Sequence, residues 1–172
     1  MSILSTSPRK TDLPRAALLA AVLILTAGAA MAQGGLSFGG MRGSQDAPVE
    51  FRADNLSVNN ATGESVLSGN AVIAQGDMRM AAPEIRIFFT PGAQSRITRV
   101  EGLRGVTLVT AQEAAEAQSG VYDLTAGVVR LTGSVMVTQG PNIITGDRLV
   151  VNVDTGAGTM EGNVRSVIQN TP

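Results

Sequence analysis

Asp54, Asp123 and Asp147 each stand beside a turn, and carboxylates are nearly all this chain offers for chemistry. On a parallel β-solenoid, carboxylates at equivalent turns would line up as the acid and base of a polysaccharide-cleaving site. No histidine and no cysteine occur in the 172 residues. The commonest general base, the usual zinc ligands and every Ser-His or Cys-His nucleophile are therefore missing. Asp beside a turn more often accepts a bond from a neighbouring backbone N–H. We expect no enzyme, no catalytic residue, no metal site and no cofactor.

The elements that must position these carboxylates are repeated. Leu67-Ser68-Gly69-Asn70-Ala71-Val72-Ile73-Ala74-Gln75-Gly76 returns 64 residues later as Leu131-Thr132-Gly133-Ser134-Val135-Met136-Val137-Thr138-Gln139-Gly140. A wider phrase, Asp54-x-Leu56-x-Val58 to Gly63 and then Leu67-x-Gly69-Asn70, returns at a spacing of 93. Its second copy is Asp147-x-Leu149-x-Val151 to Gly156, then Met160-x-Gly162-Asn163. Such repetition describes one small unit stacked on itself, each copy unable to bury its apolar face alone. The two spacings share no short solenoid period, which argues against the polysaccharide-cleaving reading and against a structural β-solenoid module.

Arg9, Lys10 and Arg15 precede an uncharged run over residues 16–30, and Ala30-Met31-Ala32 supplies the small residues a signal peptidase reads. The run is shorter than the roughly 20 residues a spanning helix needs. Residues 1–32 are expected to be a cleaved signal peptide and the remainder to be periplasmic. Without Arg9, Lys10, Arg15 and Asp12 the net charge moves from −1 to −3. No basic run and few aromatics remain, so no nucleic-acid partner is expected.

Residues 33–47 hold five Gly and show no period, and read as a flexible leader. From Pro48 the chain alternates apolar with polar or small residues, as half-buried strands do. Gly, Asn or Asp punctuate the joins. One domain over residues 48–168 and a tail over 169–172 follow. Ala111-Gln112-Glu113-Ala114-Ala115-Glu116-Ala117 has helix-forming composition but falls where the repeats place a strand, so strand, loop and short helix stay open. The Gly of each Leu-Ser/Thr-Gly reads as a bulge or bend within a strand.

Ala53-Asp54-x-Leu56-x-Val58, Leu67-Ser68-Gly69-Asn70, Gly120-Val121-Tyr122-Asp123, Leu131-Thr132-Gly133 and Thr145-Gly146-Asp147-x-Leu149 occur in one order. In that order the chain resembles the LptA/OstA-like family of lipopolysaccharide transport over roughly residues 48–165. The resemblance implies an all-β jellyroll of two antiparallel sheets, incompletely closed, that binds lipid and catalyses nothing. Its implied partners are the lipid A acyl chains of lipopolysaccharide, an inner-membrane anchored OstA-like protein, the N-terminal domain of an outer-membrane translocon, and further copies of itself. A membrane-anchored relative of the same transport system is the alternative, should the N-terminal segment be retained.

No ligand motif carries over from the family, so the candidate groove comes from alternation alone. It comprises Leu56, Val58, Ile73, Met80, Ile85, Ile87, Phe89, Val106, Leu108, Val135, Val137, Ile144, Leu149 and Val151. Each CH₂ kept from water is worth about 0.8 kcal/mol, so an acyl chain of about a dozen carbons costs on the order of 10 kcal/mol to expose. Crossing an aqueous space needs a continuous apolar path. The same residues would equally fill a closed core. Val49 and Phe51 at one end, with Val164 and Val167 at the other, are the candidate assembly edges, since unpaired strands template pairing.

Overall fold

The computed structural model describes residues 36–41, 46–92 and 95–169, all within one compact unit. The expected signal peptide lies outside them. Thirteen strands follow in order: β1 Leu36–Ser37, β2 Val49–Arg52, β3 Asn55–Asn59, β4 Glu64–Gln75, β5 Met78–Phe89, β6 Ile97–Leu103 and β7 Val106–Val109. Then come β8 Glu113–Ala117, β9 Ser119–Asp123, β10 Val128–Gln139, β11 Asn142–Asn152, β12 Ala157–Glu161 and β13 Arg165–Val167. Every pairing is antiparallel.

Four long strands, β4, β5, β10 and β11, each serve two layers. Along its length β4 pairs first with β3 and then with β2, and β10 pairs first with β9 and then with β8. Likewise β5 changes partner from β7 to β6, and β11 from β13 to β12. One layer therefore runs β2-β4-β5-β7-β8-β10-β11-β13. The other runs β3-β4-β5-β6-β9-β10-β11-β12, with β1 added on β12. The long strands are the fold line between two sheets that never join into a ring. This is the incompletely closed jellyroll expected from the sequence.

The repeated glycines make the fold line. Gly69 and Asn70 are both left-handed (φ 76° and 47°), as are Gly133 and Ser134 (86° and 48°) and Gly162 and Asn163 (72° and 45°). In β4 and β10 the register of pairing breaks at this step. A strand crosses each corner from the other side: the Asp54 N–H donates to the Gly69 carbonyl at 2.9 Å, and the Asp147 N–H to that of Gly162 at 3.0 Å. Asn70 Nδ2 then donates to Asp54 Oδ2 at 2.9 Å, and Asn163 Nδ2 to Asp147 Oδ2 at 2.8 Å. A Cβ at Gly69 or Gly162 would strike that same aspartate side chain. The phrase repeated at 93 residues thus encodes one buckle, made of a carboxylate, an amide and a glycine.

At the middle corner Gln118 takes the aspartate's place, its N–H donating to the Gly133 carbonyl at 3.0 Å. Asp123, grouped from the sequence with Asp54 and Asp147, is not at an equivalent position. It ends β9 and accepts a bond from the Ala126 N–H at 2.9 Å, closing a tight turn. Glu113–Ala117 is a strand because β7 and β10 hold it on both edges, and two ladders outweigh helix propensity.

Part of the expected leader, residues 36–41, lies within the described residues. Residues 36–41 are docked: β1 pairs with β12, Gly39–Met41 form a 3-10 turn, and Phe38 is buried in the core. Its ring lies against Gly158, where any side chain would collide with it. Burial of one aromatic side chain, on the order of 2–3 kcal/mol, offsets only part of the ordering cost of so Gly-rich a segment, so its hold is weak.

Gly69→Ala should destabilise the domain by about 2 kcal/mol or more, through left-handed strain and the clash with Asp54. Asn70→Gly, which loses only an exposed bond and relieves strain, should stay within about 1 kcal/mol of wild type. Urea unfolding of the two variants checks both values.

Candidate functional site: an apolar interior and its two ends

Eleven of the fourteen groove candidates are buried between the layers: Ile73, Met80, Ile85, Ile87, Val106, Leu108, Val135, Val137, Ile144, Leu149 and Val151. Phe89 is half-buried at the rim. Leu56 and Val58 depart from the expectation, being 52% and 58% exposed. They nonetheless stand on the inner face, because residues directly opposite in an antiparallel pair share a face. Leu56 faces the buried Leu67 across the pair, and Val58 the buried Ser65. Their faces follow alternation; their exposure arises because β3 is the last strand of its layer.

The interior is filled. A cavity of about 20 Å³, room for one water, is lined by Val49, Ile73, Met78, Met80, Val100 and Tyr122. Across it the Tyr122 hydroxyl on β9 donates to Gln75 Oε1 at the tip of β4, at 3.2 Å, and Gln75 Nε2 donates to the Ala47 carbonyl at 3.1 Å. This bond ties the two layers on the side away from the fold line. Burial, followed by the negative charge of Asp154, raises the Tyr122 pKa.

The middle of the molecule displays a finished joint. Strands β2 to β5 and β8 to β11 are equivalent at the 64-residue spacing, and β6–β7 meet β9–β8 edge to edge. In that joint Val100 opposes Tyr122, Val106 opposes Ala117 and Leu108 opposes Ala115. The core residues among them, Val100, Tyr122, Val106, Leu108 and Ala115, are buried.

At the two ends of the stack the same positions lack their neighbours. Stepping back 64 residues, Tyr122 corresponds to Val58 and Ala115 to Phe51. Stepping on 58, by the shared pairing of β6 with β5 and β12 with β11, Val100 corresponds to Gly158 and Val106 to Val164. Phe51 and Val164 are 48% and 50% exposed. Among the assembly-edge residues, Val49 is half-buried and Val167 is exposed with the outward-facing Ile143. The apolar interior is thus continuous across the internal joint, uncovered along β2 and β3 at one end, and at the other uncovered at Val164 but covered along β12 by β1 and Phe38.

The carboxylates form no acid–base pair. Asp54 and Asp147 are held in buckles and Asp123 in a turn, and no group of acidic residues able to hold a metal ion occurs among the described residues. Nor, among those residues, is any helix long and apolar enough to cross a membrane. Alternation missed Phe38 and Tyr122, the first a lone aromatic among glycines, the second hidden in the short β9.

Residues 50–157 match the family model described as LptA/(LptD N-terminal domain) LPS transport protein. The chain belongs to this family. The LptA/LptD N-terminal domain family transports lipopolysaccharide and is not one of enzymes. A relative in Rhizobium meliloti (strain 1021), described as an uncharacterized protein, is 29% identical over 145 residues, covering 80% of this chain and 78% of its own. The crystal structure of LptH from Pseudomonas aeruginosa, described as the LptA homologous periplasmic component of the lipopolysaccharide transport device, is similar in fold. Its TM-score is 0.66 at 16% identity, over 74% of this chain and 99% of that one.

The raised Tyr122 pKa has a definite sign. The folded state holds this proton more tightly than the unfolded chain, so the contribution is complete below about pH 10 and is lost as pH rises through the folded pKa. Stability should fall on titrating above about pH 10, and Tyr122→Phe should flatten that decline. Thermal unfolding between pH 8 and 11 measures both slopes.

Proposed function

We propose that this protein is a periplasmic lipid-binding bridge. It carries the acyl chains of lipopolysaccharide between the inner and outer membranes along its apolar interior, and copies join head to tail. The observation that carries this reading is the exposure of Phe51, Val58 and Val164 on the inner face of the two ends, where the internal joint buries its equivalents. An apolar path that stops in water at both ends would strand a lipid. A path continued by another jellyroll would not.

The internal joint supplies the register. A second copy's β3 laid on β12 would set Val58 opposite Gly158 and Leu56 opposite Met160; its β2 laid on β13 would set Phe51 opposite Ser166. The inner-face pairs are apolar or small. On the outer face Arg52 would oppose Arg165, a like-charge pair that weakens the contact modestly and is screened by salt. Such a contact joins different surfaces, so it extends without closing. The same edges would receive an OstA-like inner-membrane partner and the N-terminal domain of an outer-membrane translocon.

Because the interior is filled, lipid must part the layers on the side away from the fold line. Ile87, with none of its surface exposed, serves stability first. Ile87→Asp should unfold the domain, since an unpaired buried charge costs several kcal/mol. Val58→Asp, at an exposed mouth position, should leave the fold intact by circular dichroism. It should weaken binding of purified lipopolysaccharide roughly tenfold, or about 1.4 kcal/mol. A folded Val58→Asp protein that binds as wild type would remove the mouth from the path. Absence of saturable binding by wild type would overturn the lipid reading.

A further inference from the structure

The edge that a second copy would need is already occupied by this chain. In β1, Leu36 pairs with Gly158 and Ser37 with Ala157, in the same antiparallel sense in which β9 meets β6 at the internal joint. One edge of β12 bonds to β11, so the other can hold a single strand. Gly158 is also the residue that Val58 of an incoming copy would oppose. Phe38 sits on Gly158, filling the place that Val100 fills at the internal joint.

Beyond Phe38 the chain crosses to the other layer. The Phe38 N–H donates to the Gly156 carbonyl at 2.6 Å, and Gly40 packs against the Thr110 and Glu113 side chains at the β7–β8 turn. Glu113 is itself buried, held by the Thr110 hydroxyl at 2.5 Å and by Gln139 Nε2 at 3.2 Å. Residues 36–41 therefore form a strap over the open side of the jellyroll, running from β12 at its C-terminal end to the β7–β8 turn at the internal joint. Its ladder has only two residue pairs, and its 3-10 turn begins with two glycines. That is a weak hold beside the four-pair ladder joining β6 to β9.

We propose that the strap over residues 36–41 is a built-in competitor for a second copy of this chain: it caps β12 in the single molecule and must leave before β3 of another copy pairs there. The inference rests on the head-to-tail reading above and adds a condition to it. Strap and partner cannot share Gly158. The same segment leads into β2, so the cap on one end is covalently tied to the free edge at the other.

The chain has no cysteine, so one disulfide can lock the strap cleanly. The bond from the Phe38 N–H to the Gly156 carbonyl makes Ser37 and Ala157 a non-hydrogen-bonded antiparallel pair. In such pairs the Cα atoms approach to about 4.5 Å, which a disulfide spans. In the Ser37→Cys/Ala157→Cys variant, self-association is measured by analytical ultracentrifugation in oxidised and reduced forms. A Phe38→Ala variant, checked by circular dichroism, frees the strap in an otherwise intact chain. The expected result is association at least tenfold weaker when oxidised than when reduced, and at least as strong as wild type in Phe38→Ala. Equal association of the two redox forms overturns the strap and leaves end-to-end pairing standing. Tighter association when oxidised also overturns it, because the strap would then be part of the joint. No association by wild type, reduced variant or Phe38→Ala overturns the head-to-tail reading, and the strap's role with it.

Discussion

The architecture depends on paired left-handed residues placed where a strand must change layers. Gly69-Asn70, Gly133-Ser134 and Gly162-Asn163 are left-handed and each stands where the chain passes from one layer to the other. An L-residue in this conformation costs about 1 kcal/mol or more, which Gly avoids and Asn tolerates. At two corners the Asp–Asn bond holds the bend, and a missing Cβ lets the crossing strand approach. Without these bends, four long strands would form one broad sheet with an apolar face in water. With them, the same strands fold their apolar face inward and leave the polar face outside.

That constraint also determines where the molecule is incomplete. A bent-strand unit covers its neighbour along the axis, so cover by a neighbouring unit is missing only at the two ends, and β1 with Phe38 supplies it in part on β12. Phe51, Val58 and Val164 are exposed there for the reason that Ala115, Tyr122 and Val106 are buried in the middle. Burial, charge and hydrogen bonding in this protein consequently say little about a catalytic centre and much about continuity. The outer face carries ordinary exposed ion pairs, such as Arg104–Glu84 at 2.8 Å and Arg99–Glu101 at 3.0 Å. Pairs so exposed contribute little to stability. Stability resides in the apolar stack and its ladders.

Much of this was legible in the residues. Alternation placed Ile85, Ile87, Val135, Val137, Leu149 and Val151 on one buried face because period two survives the bend. The repeated Gly marked the bends. What alternation could not supply was cover: Leu56 and Val58 have the inward face but no neighbouring strand beyond β3. Phe38 escaped because one aromatic among glycines has no period, and its partner Gly158 leaves no signal except the absence of a side chain. Glu113–Ala117 looked helical because the ladders that fix it come from β7 and β10, which its own composition does not reveal. Asp123 matched Asp54 in residue type but not in place, while Gln118 matched in place but not in type.

The central claim is that the two ends of the stack complement one another in the register of the internal joint. Amide hydrogen exchange of the wild-type protein, compared between dilute and concentrated solution, tests this directly. Amides of β2, β3, β12 and β13 should gain protection together as concentration rises, while those of β6 and β9, already joined, stay unchanged. Protection that does not vary with concentration, or that appears along the β4–β5 and β10–β11 hairpins and spares the end strands, would contradict it.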